Sequence, residues 1–206
     1  MTDRQFTEDT LVIATHNVGK MREIKVLFAG FDFTILSAKD LGLAEPEETE
    51  NSFIGNAILK ARATALSSGK AALGDDSGLS VAALDGAPGV YSARWAGPNR
   101  DFDIAIKAVR DALLKTQSDD MGAEFICALA LVWPDGDTVA VEGKIHGILK
   151  FPARGTRGFG YDPIFQPDGH NISFGEMDPD AKHAISHRAD AFSQLISRCF
   201  VPTNDG

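Results

Sequence analysis

Residues 123 to 133 and 138 to 150 form two long apolar-rich runs on either side of Pro134-Asp135-Gly136-Asp137. A turn of that composition between two such runs predicts a β-hairpin, with Val139, Val141, Ile145 and Leu149 on one face of its second arm. A sheet with arms this long needs helices packed against it, which directs the rest of the chain toward an α/β arrangement. The remaining sequence supplies the helices. Leu11-Val12-Ile13-Ala14 reads as a short strand, and a helical pattern through Met21, Ile24, Leu27 and Phe28 follows it and stops at Gly30. Ile54, Ala57, Ile58, Ala61 and Ala65 mark a second helix, with Asn51 or Ser52 as cap and Gly69 as stop. Phe102, Ala105, Ile106, Val109, Ala112 and Leu113 mark a third, capped near Asp101.

The expected fold is therefore α/β: a long central mixed β-sheet flanked by helices, in two lobes around a substrate cleft. No Pro- or Ser-rich linker separates two cores. A polar N-terminal tail over 1–9, one two-lobed domain over 10–201 and a short tail over 202–206 are expected. Among 206 residues the net charge is -9. That balance works against a surface tracking polyanionic nucleic acid, so any phosphate site must be a local pocket. Cys127 and Cys199, both in apolar stretches, read as buried free thiols. The polar start has no apolar core, and the run from Ile126 to Trp133 is too short to span a bilayer. A cytoplasmic protein without membrane contact is expected.

Asp75-Asp76-Ser77-Gly78 lies between the small apolar run Ala71-Ala72-Leu73 and the strand-like Leu79 to Leu84. Two acids beside core segments suffer desolvation and mutual repulsion, which a metal ion or a substrate proton can offset. In an extended chain side chains alternate, so only one of the pair can aim into a given cleft. Asp76, next to the Ser-Gly bend, is the choice; the same four residues also compose an ordinary solvated turn. Thr15-His16-Asn17-Val18-Gly19-Lys20 lies where the first strand meets its helix, a position that attracts phosphate. It is not a Walker A loop, because the first glycine and the Ser or Thr after the lysine are missing. The acidic run Glu45-Pro46-Glu47-Glu48-Thr49-Glu50 suits either a solvated helix entry or a magnesium carboxylate partnering Asp76.

Toward the C-terminus, the glycine-rich segment Arg154 to Pro163 places Phe159 to stack on a planar ring and Asp162 to accept hydrogen bonds from it. Lys182 through Arg188 cannot present all its polar groups on one helical face. The reading is a turn ending near Ile185 and a new helix capped by Ser186, with His187 and Arg188 in its first turn. Cations there oppose the helix dipole, a local conflict more expected at a functional site than in scaffold.

Taken together these segments resemble the inosine triphosphate pyrophosphatases, from about Leu11 to Phe200. The resemblance rests on Thr15-x-Asn17-x-Gly19-Lys20 with Glu23; Glu47-Glu48-Thr49, Phe53, Asn56-Ala57 and Lys60-Ala61; and Asp75-Asp76-Ser77-Gly78-Leu79. It continues through Gly86-Ala87-Pro88-Gly89, Tyr91-Ser92-Ala93-Arg94, Phe159-Gly160-Tyr161-Asp162-Pro163 and Lys182 with Ser186-His187-Arg188. Two positions depart from the pattern: Gly55 stands where many members have Glu, and Glu50 where Gly is usual. The resemblance implies an ITPase-like fold, hydrolysis of aberrant purine nucleoside triphosphates to monophosphate and pyrophosphate, a Mg²⁺ cofactor and a homodimer. It implies Asp76 as catalytic residue and Glu48 with Asp76 as metal ligands. Thr15, His16, Asn17, Val18, Gly19, Lys20, Ser77, Phe159, Gly160, Tyr161, Asp162, Lys182, His187 and Arg188 are implied to bind substrate, with Asp75 supporting the site. Lys182 and Arg188 carry only donors and would suit a 6-oxo purine edge over adenine's 6-amino group.

Other readings fit less of the chain. Asp76-Ser77-Gly78 is also the aspartic protease triplet, but that reading demands a β-rich scaffold and leaves the C-terminal cations unexplained. A pyrophosphatase for modified pyrimidine nucleotides would be separated by a substrate panel. A non-catalytic nucleotide-binding module would have no need of the carboxylates.

Overall fold

Leu11, Val12 and Ile13 are fully buried in β1 (Thr10–Ile13), the central strand of a parallel trio. The computed structural model describes residues 3–200; the tail expected over 202–206 lies outside them, as do residues 1 and 2. After β1 come α1 (Val18–Leu27), β2 (Thr34–Ser37), α2 (Phe53–Ser68), β3 (Ala72–Val81) and α3 (Phe102–Thr116). The hairpin follows as β4 (Gly122–Val132) and β5 (Thr138–Leu149), then β6 (Phe165–Pro167), α4 (Pro179–Ile185) and α5 (His187–Cys199). The six strands form one sheet in the order β2-β1-β3-β4-β5-β6. β1 pairs in parallel with β2 and β3, while β5 and β6 are antiparallel, so the sheet is mixed. Short β2 and β6 at the two edges escape the sequence reading because three or four residues carry little periodicity.

The helix ends follow from local chemistry. Ser52 caps α2 by accepting the Gly55 amide at 3.0 Å, and Gly69 ends it in the left-handed conformation at φ +66°. Asp101 caps α3, as its spacing predicts. The Trp133 amide bonds the Asp137 carbonyl at 3.0 Å to close the hairpin turn. Ser186 is extended, and it separates α4 from α5 where the polar pattern required a break.

The chain divides into two compact units. The first comprises residues 1–76, 127–143 and 188–206, and the second residues 77–126 and 144–187. In the first, Leu11, Ile13, Ile24, Leu73, Leu129, Leu131 and Leu195 form a core with a dense aromatic group around Phe28. Phe28 lies edge-on to Phe192 at 4.7 Å and to Phe33 at 5.3 Å, and burying such a ring stabilises by about 1.5–3 kcal/mol. The polar N-terminus is tied into this unit. Phe6 stacks on Phe200 at 5.0 Å, its amide bonds the Cys199 carbonyl at 2.7 Å, and Glu8 accepts the Trp133 indole N–H at 2.7 Å. In the second unit, Leu79, Val81, Ala105, Val109, Phe125, Phe165 and Phe174 are buried together. Cys127 and Cys199 are buried free thiols, as expected. Among the described residues no helix is long and apolar enough to cross a membrane.

Candidate active site

Parallel pairing of Val12 with Ala72 and Ile13 with Leu73 sets the carboxyl end of β1 alongside the first residues of β3, two positions before its acids. The Thr15–Asn17 loop thereby lies beside the acids of β3, the place where open parallel sheets hold their ligands. Asn17 is the cap of α1: its Oδ1 accepts the Gly19 amide at 2.8 Å and the Lys20 amide at 3.2 Å, while its own amide bonds Thr15 Oγ1 at 3.1 Å. The His16 ring lies 3.1 Å from the Leu43 carbonyl. Arg22, Lys25 and Lys39 line an open depression with Thr15, Asn17 and Val18, a surface that favours anions.

β3 runs straight through Asp75 and Asp76, so alternation sends them to opposite faces. On one face Asp75 is 1% exposed. It is paired with Lys20 and accepts from Arg188 Nε at 2.9 Å and the Cys127 thiol at 3.3 Å. Arg188 also pairs with Glu23 of α1. Burial would raise the pKa of Asp75, but the charges of Arg188 and Lys20 outweigh it and hold the carboxyl well below the usual range. The Arg188 guanidinium, 1% exposed, is thus placed on two acids of the first unit.

On the other face Asp76 meets α2. A Cβ on Gly74 would collide with the Ala57 carbonyl, so glycine here lets helix and strand backbones approach closely. Asn56 and Lys60, one turn apart, project from α2 to Asp76 at 3.3 Å and 3.1 Å. Lys60 Nζ also donates to Glu48 Oε1 at 2.5 Å. Asn56 binds the backbone of Glu50 through both its amide atoms, which fixes the acidic loop against the helix. Burial pushes Asp76 upward, and the nearby Glu48 charge adds to that against the pull of Lys60 and Lys20. Burial alone would lower Lys60, yet Asp76 and Glu48 raise it. The two carboxylates sharing one cation are the oxygen donors a hard divalent ion takes. Among the described residues no group of three or more His, Cys, Asp or Glu could hold a metal. An ion here would complete its shell with water and substrate oxygens, which fits the habit of Mg²⁺.

The second unit carries the other expected residues. Asp162 Oδ2 accepts the Phe159 amide at 2.8 Å and Lys182 Nζ at 2.6 Å. Gly158, at φ +76°, allows this turn, since a Cβ there would strike the Asp162 carboxylate. The Phe159 ring is 37% exposed, with the Lys182 ammonium 5.1 Å from its centroid. Gly160 has φ +70°, and the Tyr161 hydroxyl donates to the Ser92 carbonyl at 2.9 Å. The His187 ring stacks on Phe125 at 5.1 Å, and Ser77 is half-buried on β3. The structure therefore groups Asp162, Lys182 and Phe159 in one unit, and Lys20, Glu48, Asp76 and Arg188 in the other. Asn56 and Lys60 are partners of Asp76 that residue chemistry alone did not single out. Their signal was the i, i+4 placement of polar groups on the otherwise apolar face of a helix.

Residues 11–198 match the model of the Ham1 family. The chain is 62% identical over 200 residues to a dITP/XTP pyrophosphatase of Rhodospirillum centenum, covering 96% of this chain and 98% of that protein. It is 60% identical over 190 residues to one of Caulobacter vibrioides, covering 92% and 97%. A solved HAM1 protein of Coxiella burnetii superposes with a TM-score of 0.86 at 38% identity, covering 92% of this chain and 98% of that one.

Proposed function

The chain belongs to the Ham1 family, and from that premise we propose that it hydrolyses ITP, dITP and XTP to the monophosphate and pyrophosphate, removing aberrant purine nucleotides from the pool. Relatives at up to 62% identity bear the name dITP/XTP pyrophosphatase, which supports this substrate class. The observation that carries the reading is Asp76, held by Asn56 and Lys60 with Glu48 on the same ammonium.

Asp76 orients and deprotonates the water that attacks the α-phosphorus. A carboxylate within hydrogen-bond reach of the water can take its proton as the bond to phosphorus forms. Glu48 and Asp76 hold Mg²⁺, which when bound supplies Lewis-acid stabilisation of charge on the phosphates. Lys20 and the Thr15, His16, Asn17, Val18 and Gly19 loop receive the triphosphate at the N-terminus of α1, whose entry the Asn17 cap fixes. Asp75 and Arg188 keep Lys20 and α1 in place through the buried ion pairs. Ser77 extends the substrate contacts along β3. Phe159 stacks on the base, and Lys182, anchored by Asp162, donates to its 6-oxo group. Gly160, Tyr161 and His187 shape that surface. Residues 10–201 act as one catalytic domain, as a cytoplasmic homodimer with no role in nucleic-acid binding. Purified protein with Mg²⁺ should release pyrophosphate from ITP, dITP and XTP far faster than from ATP or GTP. Equal rates on all five refute the specificity, and orthophosphate as first product refutes the reaction class.

A further inference from the structure

Lys60 stands where a metal would be expected. Its Nζ is 2.5 Å from Glu48 Oε1 and 3.1 Å from Asp76 Oδ1, and the residue is 3% exposed. A buried carboxylate and a half-buried one beside it repel each other unless a cation lies between them, and here an ammonium meets that need. We propose that Lys60 is a place-holding cation: it occupies the Glu48–Asp76 position in the free protein and is displaced when a divalent ion enters. This rests on the reading of Glu48 and Asp76 as metal ligands.

The chemistry suits such an exchange. A lysine ammonium is a compact charge on a flexible four-carbon stem, able to leave two acids without losing its proton. A displaced ammonium has donors only, and the anionic tail of a nucleotide is its natural next partner. Metal entry thus frees the lysine for phosphate, and phosphate gives the lysine a destination, so each ligand favours the other. Such coupling is reciprocal by thermodynamic necessity. An empty acid pair would also repel the incoming polyphosphate; the place-holder removes that penalty.

The test is Mn²⁺ binding without nucleotide, read by the electron paramagnetic resonance of free Mn²⁺ in wild type, Lys60→Met, Lys60→Arg, Glu48→Gln and Asp76→Asn. Lys60→Met should bind Mn²⁺ about tenfold more tightly, because its competitor is gone. Lys60→Arg, which keeps the charge, should not. Glu48→Gln and Asp76→Asn should bind more weakly. In wild type, amine acetylation mapped by mass spectrometry should show Lys60 becoming more reactive when Mn²⁺ is added; this arm stands even if Lys60→Met fails to fold. Unchanged or weaker binding by Lys60→Met, or unaltered Lys60 reactivity, overturns the place-holder while weaker binding by Glu48→Gln preserves the metal reading. Mn²⁺ affinity indifferent to both acid variants overturns the metal reading itself.

Discussion

Replacing Asp75 by Asn separates the two acids of β3 by what each supports. The carboxylate is 1% exposed and faces Lys20, Arg188 and the Cys127 thiol. Asn removes the charge but not the shape, leaving Lys20 without its acid and Arg188 with Glu23 alone of the two carboxylates. Breaking a buried ion pair by removing one partner costs about 3–5 kcal/mol. In a chain of 206 residues each kcal/mol moves Tm by roughly 2–4 °C, so Asp75→Asn should melt roughly 6–20 °C below wild type. Asp76→Asn also breaks a buried pair, but Lys60 keeps Glu48 and burial offsets part of what the charge contributes, so it should melt less far below wild type than Asp75→Asn, yet turnover should vanish. The pH dependence follows in sign. The folded-state pKa of Asp75 is depressed, so its contribution is complete above the ordinary carboxylate value of about 4 and is lost as pH falls through it toward the folded value. The gap between wild type and Asp75→Asn should therefore close below about pH 4. Calorimetric melting from pH 3 to 8 measures both. A Tm for Asp75→Asn within a degree of wild type at pH 7, or a gap that widens in acid, refutes the reasoning.

Phe159→Ala should raise KM for ITP roughly tenfold or more, since base stacking on an aromatic ring contributes about 1–3 kcal/mol, while Tm barely moves because the ring is already 37% exposed; steady-state kinetics and melting check it. Gly55→Ala should destabilise by about 1 kcal/mol net in urea titrations. Its Cβ would lie 2.8 Å from Glu50 Cβ and 2.9 Å from Ser52 Oγ, and overpacking at ~1–3 kcal/mol exceeds the ~0.8–1 kcal/mol of helix propensity that Ala adds. Adding Glu50→Gly should restore the loss, linking the two positions that depart from the family pattern.

Much of the fold was legible because its elements announce themselves locally. Ser52, Gly69 and Asp101 punctuate helices through backbone chemistry that needs no partner far away. The hairpin carries its own turn. Less was legible where meaning depends on distant chain. Arg188 lies 113 residues from Asp75, and only the fold makes a donor suited to a purine edge into the partner of a buried acid. Lys60 is 12 residues from Glu48 and 16 from Asp76, a spacing with no regular period. The N-terminal start reads as polar tail because a single Phe6 and Glu8 give no pattern; their partners Phe200 and Trp133 are supplied by tertiary structure.

The proposed reaction sends water activated at Asp76 to the α-phosphorus of an oxopurine triphosphate. Hydrolysis of ITP in ¹⁸O-enriched water, with products resolved by mass spectrometry, tests it directly. One ¹⁸O should appear in the inosine monophosphate and none in the pyrophosphate. Label in the pyrophosphate, or release of labelled orthophosphate, would contradict it.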